Sequence, residues 1–223
     1  MNLCAEGDVE IEATSAATKE GMDEFPVLEN RSVRGWPKNE PAPRVDYLRL
    51  STLLTGRFET DAHFASYSVS CVPHRLTGAA LDTGLVVPMK LLVFDVDCAA
   101  VHGTNQEAPQ AWLDELAENL DQLEVLHPGA FVYVTRGGAR IVYQLAEPFV
   151  LGGKADAKRW SAYYDACCTY LEHKFSIVAD RSCNDWTRLY RSPHATRDGL
   201  TPEERDTQGN PQNIGLWHYE PAS

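Results

Sequence analysis

Leu91-Leu92-Val93-Phe94-Asp95-Val96-Asp97-Cys98 (LLVFDVDC, residues 91–98) joins an unbroken apolar run to two acids spaced two residues apart. Such a run reads as a strand buried on both faces, and acids at its C-terminal end place that end at a cleft. Side chains at i and i+2 of a strand project to one face, so Asp95 and Asp97 can present their carboxylates to one cation. The pair repels itself and stays ionised near neutral pH only beside compensating positive charge. Mg²⁺ or Mn²⁺, hard ions that take oxygen ligands and bridge triphosphates, would supply it. The alternative is that the acids cap a following turn.

Outward from this strand, Trp112, Leu113, Leu116, Leu120 and Leu123 recur at three- and four-residue spacing after Pro109. They predict an amphipathic helix that ends near His127-Pro128-Gly129. FVYVT (131–135) and RIVYQLA (140–146) flank Arg136-Gly137-Gly138-Ala139, the pattern of a β-hairpin whose glycines tolerate positive φ. KADAKRWSAYYDACCTYLEHKF (154–175) predicts a second helix with Trp160, Tyr163, Tyr164, Cys167, Tyr170 and Leu171 facing inward. FSIVAD (175–180) and TRLYRS (187–192) are expected strands, as is FASYSVSCV (64–72), while VDYLRLSTLL (45–54) reads as a short helix. The order implies an α+β fold with helices concentrated on one face of a sheet. Residues 1–43, rich in acids and prolines and without periodicity, read as an acidic tail or peripheral segment, and 44–223 as the catalytic domain.

The chain has 223 residues, 43% hydrophobic and 23% charged, which suits one globular domain. No stretch approaches the roughly 20 apolar residues of a membrane span, and the acidic start MNLCAEGDVEIE is unlike a signal peptide. A cytoplasmic protein with no membrane partner is expected. Cys4, Cys71, Cys98, Cys167, Cys168 and Cys183 are scattered without a framework, so reduced thiols are expected. The net charge of −12 argues that the domain alone grips DNA or RNA weakly. Much of it lies in the first thirty residues, where Glu6, Asp8, Glu10, Glu12, Glu20, Asp23, Glu24 and Glu29 face only Lys19. Arg136, Arg140, Arg181, Arg188, Arg191 and Arg197 gather later, near the candidate site.

Two further segments join the paired acids. In Thr135-Arg136-Gly137-Gly138-Ala139-Arg140 the glycines would let backbone N–H groups approach an anion while the arginines add charge-assisted donors, which suits a triphosphate. An ordinary hairpin turn with solvated arginines is the plainer alternative. Asp180 ends the apolar FSIVAD segment and is followed by Asp185, Trp186, Arg188, Arg191 and His194.

The ordered set VFDVDC, VTRGGARIVYQL and VADRSCNDWTRLYRSPHATRDG resembles the catalytic core of the archaeo-eukaryotic primase superfamily, nearest to the bifunctional primase-polymerases of plasmids, phages and mobile elements. The resemblance covers about residues 60–200. It implies an α+β core with a mixed sheet, an RRM-like element and flanking helices. It further implies two metals, Mg²⁺ or Mn²⁺, held by Asp95, Asp97 and Asp180 for nucleotidyl transfer, with NTP or dNTP as substrate. By the same resemblance Thr135, Arg136, Gly137, Gly138 and Arg140 would bind the nucleotide, and Arg188 and Arg191 would lie near it or near a single-stranded DNA template. A separate helicase would be a partner. Arg140 stands where the family has histidine, and arginine cannot act as a neutral base. His194 stands where the family usually has glycine.

Two other functions fit parts of the pattern. FDVDC and FVYVTR resemble the opening motifs of a haloacid-dehalogenase-like phosphohydrolase, with Asp95 as nucleophile, Asp97 as acid/base and Asp180 or Asp185 on the metal. Against it, about ninety residues precede the strand, and Cys98-Ala99 replaces Gly-Thr. A degenerate module that binds nucleotide or a replication origin without turnover would explain Arg140 and the acidic balance. Zinc is not expected: Cys71-x-x-His74 lacks a second half-site, Cys167 reads as core, and His102, His127 and His218 suggest no pairing.

Overall fold

The computed structural model describes residues 24–29, 45–49, 65–68, 81, 84, 86–104, 106–135 and 137–191. The expected buried strand is there and is longer than its apolar run: β4, Val87–Asp97, follows three short strands, β1 (Glu24–Glu29), β2 (Val45–Arg49) and β3 (Ala65–Ser68). β4 has buried residues on both faces, among them Leu91, Leu92, Val93, Phe94 and Val96. Each large aliphatic side chain so buried stabilises the fold by about 1.5–3 kcal/mol. α1 (Gln110–Leu126) turns Leu116 and Leu123 inward and stops where Pro128 and Gly129 forbid continuation; the His127 N–H closes on the Leu123 carbonyl, 2.7 Å.

β5 (Phe131–Val134) and β6 (Gly138–Leu151) form the expected hairpin, and β6 also pairs with β4, giving a three-stranded sheet in the order β4-β6-β5. The reason for the glycines differs from the expected one. Neither Gly137 nor Gly138 has positive φ. A Cβ on Gly138 would instead sit 1.9 Å from the Val96 carbonyl oxygen, so only glycine lets β6 enter the sheet this close to β4.

α2 (Lys154–Phe175) has the expected bounds with a different inward stripe: Trp160, Tyr164, Cys168, Leu171 and Phe175. Tyr163 and Tyr170 are exposed, and Cys168 takes the core place expected for Cys167, which is half-buried. Two lanes of apolar residues run along this helix, and the buried lane is the one that continues into Leu171 and Phe175. Phe94 stacks on Tyr164 with ring centroids 5.4 Å apart, which joins α2 to β4. Ser176, in the left-handed region at φ 55°, ends the helix with its N–H on the Glu172 carbonyl.

Residues 176–180 are extended but form no ladder, contrary to the strand expected of FSIVAD. Ile177 and Ala179 point inward and Val178 outward, so the alternation is real; the segment makes one backbone bond to β4, from Asp180 N–H to the Asp95 carbonyl. A 3-10 turn, Arg181–Cys183, and β7, Leu189–Arg191, follow. β7 closes a second sheet in the order β2-β1-β3-β7.

Two expectations upstream are corrected by that sheet. Val45–Arg49 is a strand and not a helix, since Val45 and Tyr47 favour pleated backbone and β1 offers a partner. Glu24–Glu29, inside the segment read as peripheral, is an interior strand between β2 and β3. Every ladder among the described residues is antiparallel, so the α+β class holds while the mixed sheet does not. Cys98, Cys167, Cys168 and Cys183 are free thiols. No helix among the described residues is long and apolar enough to cross a membrane.

Gly138→Ala is expected to lower stability by about 2 kcal/mol or more, because backbone must move to admit the methyl group. Gly137→Ala, whose Cβ would meet only the Val101 methyl at 4.0 Å, should stay within about 0.5 kcal/mol of the parent in urea unfolding. Equal midpoints for the two variants would refute the close-approach account.

Candidate functional site

The antiparallel register sets Asp95 on β4 opposite Arg140 on β6, and Arg140 opposite Tyr133 on β5, so the three side chains form a row on one face. The Arg140 guanidinium grips Asp95 with both arms: Nε donates to Oδ1 at 3.1 Å and Nη2 to Oδ2 at 3.3 Å. Nη1 donates to the Tyr133 hydroxyl at 3.3 Å. The guanidinium carbon lies 5.9 Å from the Tyr133 ring centre and 5.2 Å from that of Tyr190. Arg140 and Asp95 side chains are only 13% and 18% exposed, so this is a largely desolvated, bidentate ion pair.

Asp97 lies on the same face, opposite Gly138. Burial and then the negative charge of Asp95 push its carboxyl above the usual carboxylate range; His102 and Arg140 oppose the shift only in part. His102 Nδ1 stands 3.1 Å from Asp97 Oδ2. That contact was illegible in the spacing of histidines, because it depends on the turn after β4, in which Val101 N–H bonds the Cys98 carbonyl and Gly103 takes φ +75°. Asp97, five residues before His102, was the signal available.

Asp180 is held beside this pair by its backbone. Its N–H donates to the Asp95 carbonyl at 2.7 Å, and the Tyr164 hydroxyl touches both the Val93 carbonyl, 3.1 Å, and the Asp180 carbonyl, 3.3 Å. Its carboxylate turns into the 3-10 turn, accepting from Ser182 N–H at 2.8 Å, Ser182 Oγ at 2.7 Å and Cys183 Sγ at 3.5 Å. Burial pulls this carboxyl upward, yet the Ser182 and Cys183 donors and the charge of Arg188 outweigh it, and the net shift is downward. Burial pushes the Cys183 thiol up to about 12, so it stays a neutral donor. Arg188 donates to the Ser182 carbonyl and hydroxyl, and its Nε lies 3.4 Å from Asp185 Oδ2 without hydrogen-bond alignment.

The other predicted residues divide. Gly137 and Gly138 shape the hairpin: the Gly137 carbonyl accepts from Cys98 N–H, and the Gly138 carbonyl from Thr135 N–H. Arg191 pairs through its backbone with Ser66 on β3. Asp185 caps a turn by accepting from Thr187 N–H and Oγ1, and Trp186 is core. Arg136, His194, Arg197, Cys71, His74 and His218 lie outside the described residues.

Asp95, Asp97 and the Asp180 backbone thus lie at one end of β4 while the Asp180 carboxylate faces its own turn, and each acid has a partner: Arg140 for Asp95, His102 for Asp97, Ser182 for Asp180. Among the described residues no group of three or more His, Cys, Asp or Glu is arranged to hold a metal ion. The donor chemistry nonetheless fits a hard cation, since all three acids offer carboxylate oxygen and Asp97 carries incompletely compensated charge. No family model matches the chain, and neither a curated protein nor a solved structure does.

The two shifts have opposite consequences for stability. Asp97, raised in the folded state, contributes stability below its unfolded pKa of about 3.9 that is lost as pH rises through its higher folded value. Asp180, lowered, contributes stability above that value that is lost as pH falls through its folded pKa. At pH 7, Asp97→Asn should therefore raise the melting temperature, and Asp180→Ala should lower stability by about 1 kcal/mol through loss of the turn cap. Thermal melts between pH 3 and 7 check both; the same sign for the two variants would contradict the assignment.

Proposed function

We propose that the chain is a primase-polymerase of the archaeo-eukaryotic type, a nucleotidyltransferase that adds NTP or dNTP to a strand on a single-stranded DNA template. The observation that supports it most is the 2.7 Å bond from Asp180 N–H to the Asp95 carbonyl, which brings a distant acid against the Asp95/Asp97 strand end. Asp95, Asp97 and Asp180 would hold Mg²⁺ or Mn²⁺; bound there, the ions would supply Lewis-acid activation of a 3′-hydroxyl and stabilise the leaving pyrophosphate. Arg188, adjacent to Asp180 and half-buried, provides fixed positive charge at the same edge. By the same resemblance Thr135, Arg136 and Arg191 complete the proposed nucleotide and template contacts. The −12 net charge means that template affinity depends on added partners, a helicase being the expected one.

The Asp95–Arg140 pair specifically favours a second reading, a module that binds nucleotide or an origin without turnover, because it neutralises one of the acids that catalysis would use. The same pair weighs against a phosphohydrolase. A nucleophilic Asp95 needs an accessible carboxylate oxygen, and here both oxygens accept from Arg140 in a side chain only 18% exposed.

Primer extension on a single-stranded template with Mn²⁺ discriminates the three. We expect extended product, and a loss of about 100-fold or more in Asp95→Asn, Asp97→Asn and Asp180→Asn. Unchanged incorporation in any of them would overturn the two-metal assignment. Nucleotide binding without product would favour the second reading, and phosphate release from a simple monoester the phosphohydrolase.

A further inference from the structure

We propose that Arg140 is a built-in counter-ion that occupies Asp95 and must be displaced when a divalent cation takes the acidic strand end, so that this one residue sets the metal affinity of the site. The inference rests on the metal reading given above and adds to it a competitor supplied by the chain itself.

The pairing is enforced by the fold. Asp95 and Arg140 are directly opposite in the β4–β6 ladder, and their neighbours Phe94, Val96, Ala139 and Ile141 are all buried, so a one-residue slip would expose core on both strands. Tyr133 and Tyr190 hold the guanidinium from two sides. Two donors of the fork are used on one carboxylate, so each Asp95 oxygen already accepts from the arginine. Because the pair is largely desolvated, Asp95 does not release Arg140 to water without leaving an uncompensated charge. Another cation can replace it. Asp97, whose hydrogen-bonded partner among the described residues is the exposed His102, is the open side of the same face and the natural point of entry.

A tethered cation competes at high effective concentration whatever the bulk conditions. Weakening its grip must therefore tighten metal binding even when its charge is kept. Lysine at this position retains one positive charge but cannot make the two-armed contact. That separates displacement from simple repulsion at a distance, under which Arg140→Lys would bind metal as the parent does.

The test is direct Mn²⁺ binding, read by electron paramagnetic resonance of the free ion, on the full chain and on Arg140→Lys, Arg140→Met and Asp97→Asn. We expect Arg140→Lys to bind several-fold tighter than the parent, and Arg140→Met about tenfold tighter or more. Asp97→Asn should bind weaker, which locates the ion. If Arg140→Met fails to fold, as circular dichroism would show, Arg140→Lys decides alone. Parent-like or weaker binding in Arg140→Lys while the parent itself binds Mn²⁺ overturns the displacement and leaves the metal reading standing. Absence of Mn²⁺ binding in every protein overturns the metal reading and this inference with it.

Discussion

β4 is the outer strand of its sheet, and the carbonyls of Val93 and Asp95 need partners that β6 and β5 do not provide. A buried carbonyl without a hydrogen bond is costly, so whatever covers this edge must donate to it. Three groups do. The hydroxyls of Tyr164 and Tyr190 reach the Val93 carbonyl at 3.1 and 3.4 Å, and Asp180 N–H reaches the Asp95 carbonyl. Each donor comes from a different element, so satisfying one strand edge fixes α2, β7 and the 176–180 segment against β4 together. An exposed edge would also invite pairing with another chain, and this cover removes the template for it.

The site inherits its geometry from that cover. Asp180 is beside Asp95 because its own N–H belongs to the edge, and its carboxylate is then aimed away by the Ser182 donors. On the other side of β4, ladder register places Arg140 against Asp95, and the missing Cβ of Gly138 allows β6 to begin level with Asp97. One strand thus has its main chain bonded on one edge by the residue that carries the third acid, and its side chain neutralised across the other edge by an arginine.

What was legible in the sequence is what local periodicity controls. LLVFDVD announces a strand buried on both faces because its first four residues are all apolar, and the leucine spacing after Pro109 and the limits of 154–175 are helical on their own terms. Partner-dependent features were not legible. VDYLRLSTLL contains enough leucine to pass for a helix, and β1 makes Val45–Arg49 a strand. FSIVAD has the alternation of a strand but meets β4 at a single bond, so no ladder forms. The phase of α2 depended on which of its two apolar lanes packs on β4, and Tyr164 on the buried lane delivers its hydroxyl to Val93. For the site, acids at strand ends were visible, whereas Arg140 facing Asp95 required the register between residues 45 positions apart.

That last gap changes how the acidic strand end is understood. Two carboxylates at i and i+2 imply a cation from sequence alone, since their repulsion must be relieved. The fold relieves it unequally: Asp95 by a fixed arginine, Asp97 by an exposed histidine, Asp180 by neutral donors and the nearby Arg188. Residual negative charge is therefore concentrated at Asp97, whose carboxyl is shifted upward by burial and by the charge of Asp95. A cation drawn to this edge meets a graded series of competitors, weakest at Asp97 and strongest at Asp95. The acids specify where positive charge goes, and the residues paired with them determine how much of it must come from outside the chain.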